Sequence, residues 1–250
     1  MPRTRRGFLL CERSGNEPDP DSFPTGTAGI YVDAQGRNCI VIGPGANGAL
    51  APAFVTAALD GLAAGDVVLV QLESPLDAVA GALEAARAAG ATAILNPAPA
   101  NIAIDEPMLV RADLLTPNET EFSALVARHV GERIDADAVS GLDQQRLHAL
   151  CRDLLPHGTV VVTLGASGCF VSHPGEALRG DSSACYRVSA EPAQVVDTTG
   201  AGDAFNGALA AALARRPDAA FIEHVRFAGR FAARSTEQAG AAPAMPHLTE

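Results

Sequence analysis

From about residue 25 onward, short apolar runs alternate with longer amphipathic stretches. The runs "TAGIYVD" and "RNCIVIG" flank the turn "AQGR" and predict a β-hairpin. "APAFVTAALDGL" predicts a helix. "DVVLVQLE" is a nearly continuous, Val-rich run, the pattern of a strand buried on both faces. In "SPLDAVAGALEAARAAG", Ser74 is the expected N-cap, Pro75 the first helical residue and Gly90 the stop. "ATAILNPAP" and "ADLLTPN" read as the next strands, and "ETEFSALVARHV" as a helix. Gly131 to Val139 reads as a polar, acidic loop, followed by the amphipathic helix "LDQQRLHALCRDLL". "GTVVVTLGASGCFVSH" gives two strands around a tight Gly-containing turn. After an irregular stretch, "AQVVD" leads into a Gly-rich loop. Two helices then close the chain, one from Gly202 to Arg215 and one within "DAAFIEHVRFAGRFAARSTEQAG".

Strands alternating with helices in this way imply βαβ units, a mainly parallel sheet and an α/β fold. Right-handed crossovers bring the C-terminal ends of such strands to one edge, where ligands of open α/β sheets bind. Four polar clusters fall at those ends: "LESP", "LNPAPA", "TPNETE" and "DTTGAGD".

Composition narrows the functions open to this chain. Its 250 residues are enough for a sizeable core, and 48% are hydrophobic. A formal net charge of −11 argues against a nucleic-acid surface. No apolar run approaches the ~18 residues a membrane span needs. The apolar stretch Phe8 to Cys11 is too short for a secretory signal, and residues 1–23 read as an irregular segment. Five cysteines without a C-x-x-C pair fit reduced thiols in a cytoplasm. All 18 basic residues are Arg, so a P-loop lysine is excluded. Any nucleotide must be held by backbone amides, Arg or metal.

In "DTTGAGDAFNGALAAAL" an apolar strand runs into a Gly-Ala-Gly turn and a small-residue helix. The first amides of a helix lack internal acceptors and sit at its positive end. Gly200, Ala201 and Gly202 leave those amides open to an oxyanion. Asp203 in the same turn is placed to take a proton from an attacking hydroxyl. The plain alternative is an N-capping Asp in a Gly-rich loop. In "TPNETE", Asn118, Glu119 and Glu121 read either as a capped helix start or as a polar shell around a phosphate-bound Mg²⁺, with Glu121 acting through water. Thr163, Gly165, Ser167 and Gly168 of "VTLGASG" read as a hairpin turn or a close approach to a ligand. Glu73 is a helix-capping acid or a hydroxyl binder. His173, His224 and His247 show no metal-ligand spacing and read as incidental.

In this order the motifs resemble the ribokinase branch of the PfkB carbohydrate kinase family. "DTTGAGDAFNGAL" is similar to the family's long C-terminal signature. "QLESP", "LNPAPA", "TPNETE", "VTLG-x-x-G" and "GAAPAMP" resemble ribokinases in particular. The likeness runs from about Thr25 to Pro246, and the chain before Thr25 resembles nothing in the family.

The resemblance implies a three-layer α/β/α fold and transfer of a phosphoryl group from ATP to a sugar hydroxyl, with D-ribose giving ribose 5-phosphate. It implies Asp203 as catalytic base and Gly200, Ala201 and Gly202 as anion hole. Asn118, Thr163, Gly165, Ser167 and Gly168 take the ATP side, Glu121 the Mg²⁺ side and Glu73 the substrate side. Asp197 and the carbonyls of Thr199, Ser235 and Gly240 take a monovalent cation, usually K⁺. Ala244 stands where ribokinases often carry Ser. Residues 24–44 match the second part of the family's β lid, through which ribokinases often form homodimers, and 24–250 make up the α/β domain.

No G-G-K-G-A-N-type sugar motif appears, and "GPGAN" at Gly43 to Asn47 matches a later family segment. The chain therefore reads as lacking roughly the first third of a ribokinase. Two competitors follow: a nucleotide-binding protein without transfer activity, and a PfkB kinase for a nucleoside or a fructose phosphate.

Overall fold

The structure is a computed structural model that describes Pro24, residues 26–32 and residues 38–247. The expected irregular segment 1–23 and the turn "AQGR" lie outside the described residues. Strands β1 (Thr27–Val32) and β2 (Asn38–Gly43) pair antiparallel, with Thr27 opposite Gly43, as a separate two-stranded sheet. This is the hairpin that the two apolar runs predict.

The main sheet has six strands in chain order: β3 (Val67–Val70), β4 (Thr92–Leu95), β5 (Leu114–Leu115), β6 (Thr159–Thr163), β7 (Cys169–Ser172) and β8 (Cys185–Val188). Pairing from β3 through β6 is parallel; β7 and β8 add antiparallel. Neighbouring strand residues point to opposite faces, and each face meets its own helical layer. Leu95, Leu115, Val160 and Val162 join one core with helices α1 (Pro52–Ala58), α2 (Leu76–Ala89), α4 (Glu119–Leu125) and α6 (Gln144–Leu154). Ile94, Leu114, Val161 and Val171 join the other with α7 (Ala201–Arg215) and α8 (Phe221–Ser235). Two short helices, α3 (Glu106–Leu109) and α5 (Ala136–Val139), complete the set. The result is the expected α/β/α sandwich with a mainly parallel sheet.

Four local expectations need correction. The run that predicts a strand buried on both faces forms only four residues at the sheet edge. Among the described residues it pairs with β4 alone, and Leu69 is 37% exposed. Helix α2 begins one residue late: Pro75 is extended (ψ 134°) and takes the cap position in place of Ser74, without a side-chain cap. Gly90 does stop it, with φ 68°. The polar stretch Gly131 to Val139 holds α5, and the irregular stretch before the Gly-rich loop holds β8. Both are short and weakly patterned, so packing rather than periodicity decides them.

His173 has a structural place. It is fully buried beyond the end of β7, away from the strand ends that carry the polar clusters. Arg179 Nε donates to Thr159 Oγ1 (3.1 Å), which lies 3.0 Å from His173 Nδ1. His173 Nε2 lies 3.0 Å from Asp181 Oδ2, which also accepts the Tyr186 hydroxyl. Asp181 accepts only, so the ring proton sits on Nε2 and Nδ1 accepts from Thr159. The other Asp181 oxygen takes the Ile222 N–H at 3.0 Å. This chain of bonds clasps β6, β7, β8 and the start of α8 together. The thiols of Cys151 and Cys169 are free and buried, and burial pushes both up to about 12.

Candidate active site

The C-terminal ends of β3 to β6 are laced into one row by their own backbone. Leu72 N–H donates to Ala98 O (2.9 Å) and Asn96 N–H to Val70 O (2.9 Å). Asn96 Nδ2 donates to Thr116 O (2.7 Å), and Thr163 N–H to Pro117 O (2.9 Å). Three of the four sequence clusters therefore meet along this edge, and α7 packs against β3 to bring in the fourth.

Asn118 begins α4 with a capping box. Its Oδ1 accepts the Glu121 N–H (2.9 Å), while Glu121 Oε2 accepts the Asn118 N–H (2.9 Å) and Oε1 the Asn118 amide (3.0 Å). The capped-helix reading is thus realised in full. Glu121 is also 5% exposed, and burial raises its carboxyl above the usual range. The charges of Glu119 and Asp203 push the same way. Glu121 and Asp203 thus feel each other across the site.

Helix α7 starts at Gly200, whose φ of 78° suits only glycine comfortably. A Cβ there would also meet Met245 Cε at 2.9 Å, so "GAAPAMP" packs directly on the loop. A Cβ at Gly202 would meet nothing within 4 Å, so this side of the first turn is open. The Ala201 N–H is partly used, donating to Thr198 O at 3.2 Å. The amides of Gly200, Gly202 and Asp203 have no acceptor among the described residues. Asp203 is exposed, yet the protein packed around its carboxyl desolvates it and raises its pKa. A base with a raised pKa accepts a proton more readily than an ordinary aspartate.

Asp197, on the other side of the Gly-Ala-Gly run, is different. Its carboxylate accepts the Gly240 N–H (2.8 Å), the Thr199 hydroxyl (2.7 Å) and the Thr199 N–H (2.9 Å). These bonds hold its pKa below the usual carboxylate range. Thr236 O accepts the N–H of both Val196 (2.7 Å) and Asp197 (3.1 Å), which seats the loop on the end of α8. Ser235 is buried and its hydroxyl donates to Ala232 O (2.8 Å).

At Gly168 (φ 85°) a Cβ would fall 2.0 Å from Val188 O, so the β6–β7 turn requires glycine for chain packing alone. Ser167 is exposed on that turn, and Gly165 lies beside Glu119 Oε1. Glu73 is exposed past β3, and its carboxylate makes no hydrogen bond among the described residues.

Two features went unread in the sequence. A cavity of about 290 Å³ lies between Glu191–Pro192 and α8, walled by Phe227, Phe231, Arg230 and Arg234. The loop beside it runs into Asp197. Thr116 Oγ1 and Asn206 Oδ1 are buried polar atoms without a protein partner. Asn206 was visible as the polar residue on an Ala-, Phe- and Leu-lined face, four positions after Gly202.

Residues 17–248 match the family described as pfkB family carbohydrate kinase. The chain belongs to the pfkB carbohydrate kinases. The match begins eight residues before Thr25, so it takes in part of the segment expected to resemble nothing in the family. Ribokinase from Haemophilus influenzae is 37% identical over 227 residues, 90% of this chain and 67% of that protein. The crystal structure of ribokinase from Thermotoga maritima superposes with a TM-score of 0.71 at 32% identity, over 90% of this chain and 67% of that one. Ribokinase from Arabidopsis thaliana, solved with ribose and ATP, gives 0.66 at 30% identity, over the same shares. The chain spans about two thirds of the length of these pfkB relatives. Among the described residues, no helix is long and apolar enough to cross a membrane, and no cluster of three His, Cys, Asp or Glu could hold a metal ion.

Proposed function

We propose that the chain transfers the terminal phosphoryl group of ATP to a hydroxyl of ribose, giving ribose 5-phosphate. The observation that carries this reading is Asp203, a desolvated carboxylate in the first turn of α7, beside the open face at Gly202. Asp203 takes the proton from the attacking hydroxyl. The unpartnered amides of that turn receive the phosphoryl oxygens, where fixed donors stabilise charge as it develops.

Asn118, Thr163, Gly165, Ser167 and Gly168 line the ATP side. The cavity between Pro192 and Phe227 takes the base, since its aromatic and Arg walls suit a planar ring. Glu73 offers its free carboxylate to a sugar hydroxyl. Glu121 and Asp203, both raised in pKa, fit a Mg²⁺ ion held mainly by the phosphates and reached from Glu121 through water. Such an ion neutralises phosphate charge. Asp197, kept ionised, together with the carbonyls of Thr199, Ser235 and Gly240, forms an all-oxygen set that suits K⁺. Val41 (60% exposed) and Ile42 (42%), on opposite faces of β2, leave apolar surface on the hairpin that a homodimer would cover. Free buried thiols and an ATP substrate fit the cytoplasm.

The test is incubation with ATP, Mg²⁺ and ribose, with product mass read by mass spectrometry and 2-deoxyribose, fructose phosphate and a nucleoside as competitors. A singly phosphorylated pentose is expected. A preferred competitor would reassign the substrate. ATP binding without turnover on any acceptor would favour a nucleotide-binding protein.

A further inference from the structure

Among the buried residues of α7, Asn206 alone is polar; the others are Ala204, Phe205, Ala208, Leu209 and Ala212. It is 5% exposed. Its Nδ2 donates to Gly202 O at 2.9 Å, while its Oδ1 has no protein partner. The reverse amide orientation would set two oxygens against each other, so the assignment is fixed by Gly202. A buried acceptor left unpaired weakens a fold. A Leu here would match the rest of the face, so stability does not account for the amide.

Its partner does. Gly202 C=O and Asp203 N–H belong to one planar trans peptide and point in opposite directions. Holding the carbonyl therefore aims the Asp203 amide. That amide has no helical acceptor and lies at the mouth of the proposed anion hole. The same peptide plane sets the direction in which the Asp203 side chain leaves the backbone. Side chains on a helix lean toward its N-terminus, which is how residue 206 reaches back over the first turn.

We infer that Asn206 is a positioning residue, whose side-chain amide fixes the Gly202–Asp203 peptide for phosphoryl transfer. This rests on the assignment of Asp203 and the anion hole above. It acts through the peptide and touches neither sugar nor nucleotide.

Three variants test it: Asn206→Leu, Asn206→Ser and Asp203→Asn. In Asn206→Leu, kcat falls roughly tenfold with KM for ATP and sugar unchanged, because only transition-state contacts are lost. Its melting temperature holds or rises. Asn206→Ser retains most of kcat, since a serine hydroxyl can donate to the carbonyl four residues back. A second readout needs no turnover: the tightening of ADP binding on adding aluminium fluoride, a mimic of the moving phosphoryl. Asn206→Leu should lose roughly tenfold of that gain, with ADP alone unaffected. Unchanged kcat and an unchanged fluoride gain overturn the inference, as does a lower melting temperature with kcat preserved. If Asp203→Asn stays active, the base assignment fails; the fluoride gain still decides whether Asn206 sets the peptide.

Discussion

The Asp197 carboxylate accepts the N–H of Gly240 at 2.8 Å, tying two residues 43 positions apart. Through it, the loop before α7 is locked to the chain after α8. The same bond keeps Asp197 ionised. Asp203, six residues on in the first turn of α7, is pushed the other way by the desolvation of its carboxyl. One short run thus holds one carboxyl lowered in pKa and one raised, and the two should respond differently to mutation.

Asp197→Asn removes the charge proposed to hold K⁺. ADP release measured against KCl concentration should show half-activation shifted upward by roughly tenfold or lost, with affinity for the sugar little changed. An unchanged KCl profile would remove Asp197 from the cation site.

Glu121→Gln keeps an oxygen for the Asn118 N–H, so the capping box can persist. The folded pKa of Glu121 lies above its ordinary value of 4.5, so ionising it costs more in the folded state. The charged form therefore lowers stability as pH rises through that range. Thermal melts at about pH 7 should favour the Gln variant, with the difference vanishing below about pH 4. Activity should fall, reflecting the lost contact to the Mg²⁺ shell.

Gly202→Ala and Gly168→Ala separate function from packing. At Gly202 the methyl group has open space, so stability should hold while activity drops as the methyl blocks the oxyanion. At Gly168 it collides with Val188 O and sits at positive φ. That variant should lose about 2 kcal/mol or more, read by urea unfolding.

His173 gives a pH signature remote from the site. Burial holds its pKa below the ordinary 6.5, against the pull of Asp181. Unfolded chains bind the proton first, so folding stability should be complete above about pH 6.5 and decline as pH falls below it. His129, His148 and His224 are lowered as well and add to the slope. His173→Phe should cost about 2–4 kcal/mol by stranding Thr159 and Asp181, and its decline with acid should be shallower.

The strand–helix alternation carried the layer order, because Val-rich runs and Gly90-type stops are local signals. The strand-end clusters carried the row from Asn96 to Thr163 for the same reason. What escaped was decided by distant partners. Leu69 is partly open because, among the described residues, no strand pairs beyond β3, and β8 exists because β7 offers it an edge. His173 looked solitary until Thr159, Asp181 and Tyr186 closed around it. Asn206 stood inside the quoted motif, but its meaning depends on one bond to Gly202. Glu121 carried two readings at once, and the capping box shows how a cap can also place a carboxylate.

The central claim is that Asp203 is the base of an ATP-dependent sugar kinase. It is tested most directly by ribose-dependent ADP release in the chain and in Asp203→Asn, with ATP affinity measured on both. The account predicts ribose-stimulated release that falls about 10²–10⁴-fold in the variant while ATP still binds. Release indifferent to ribose, or an Asp203→Asn variant turning over at the parent rate, would contradict it.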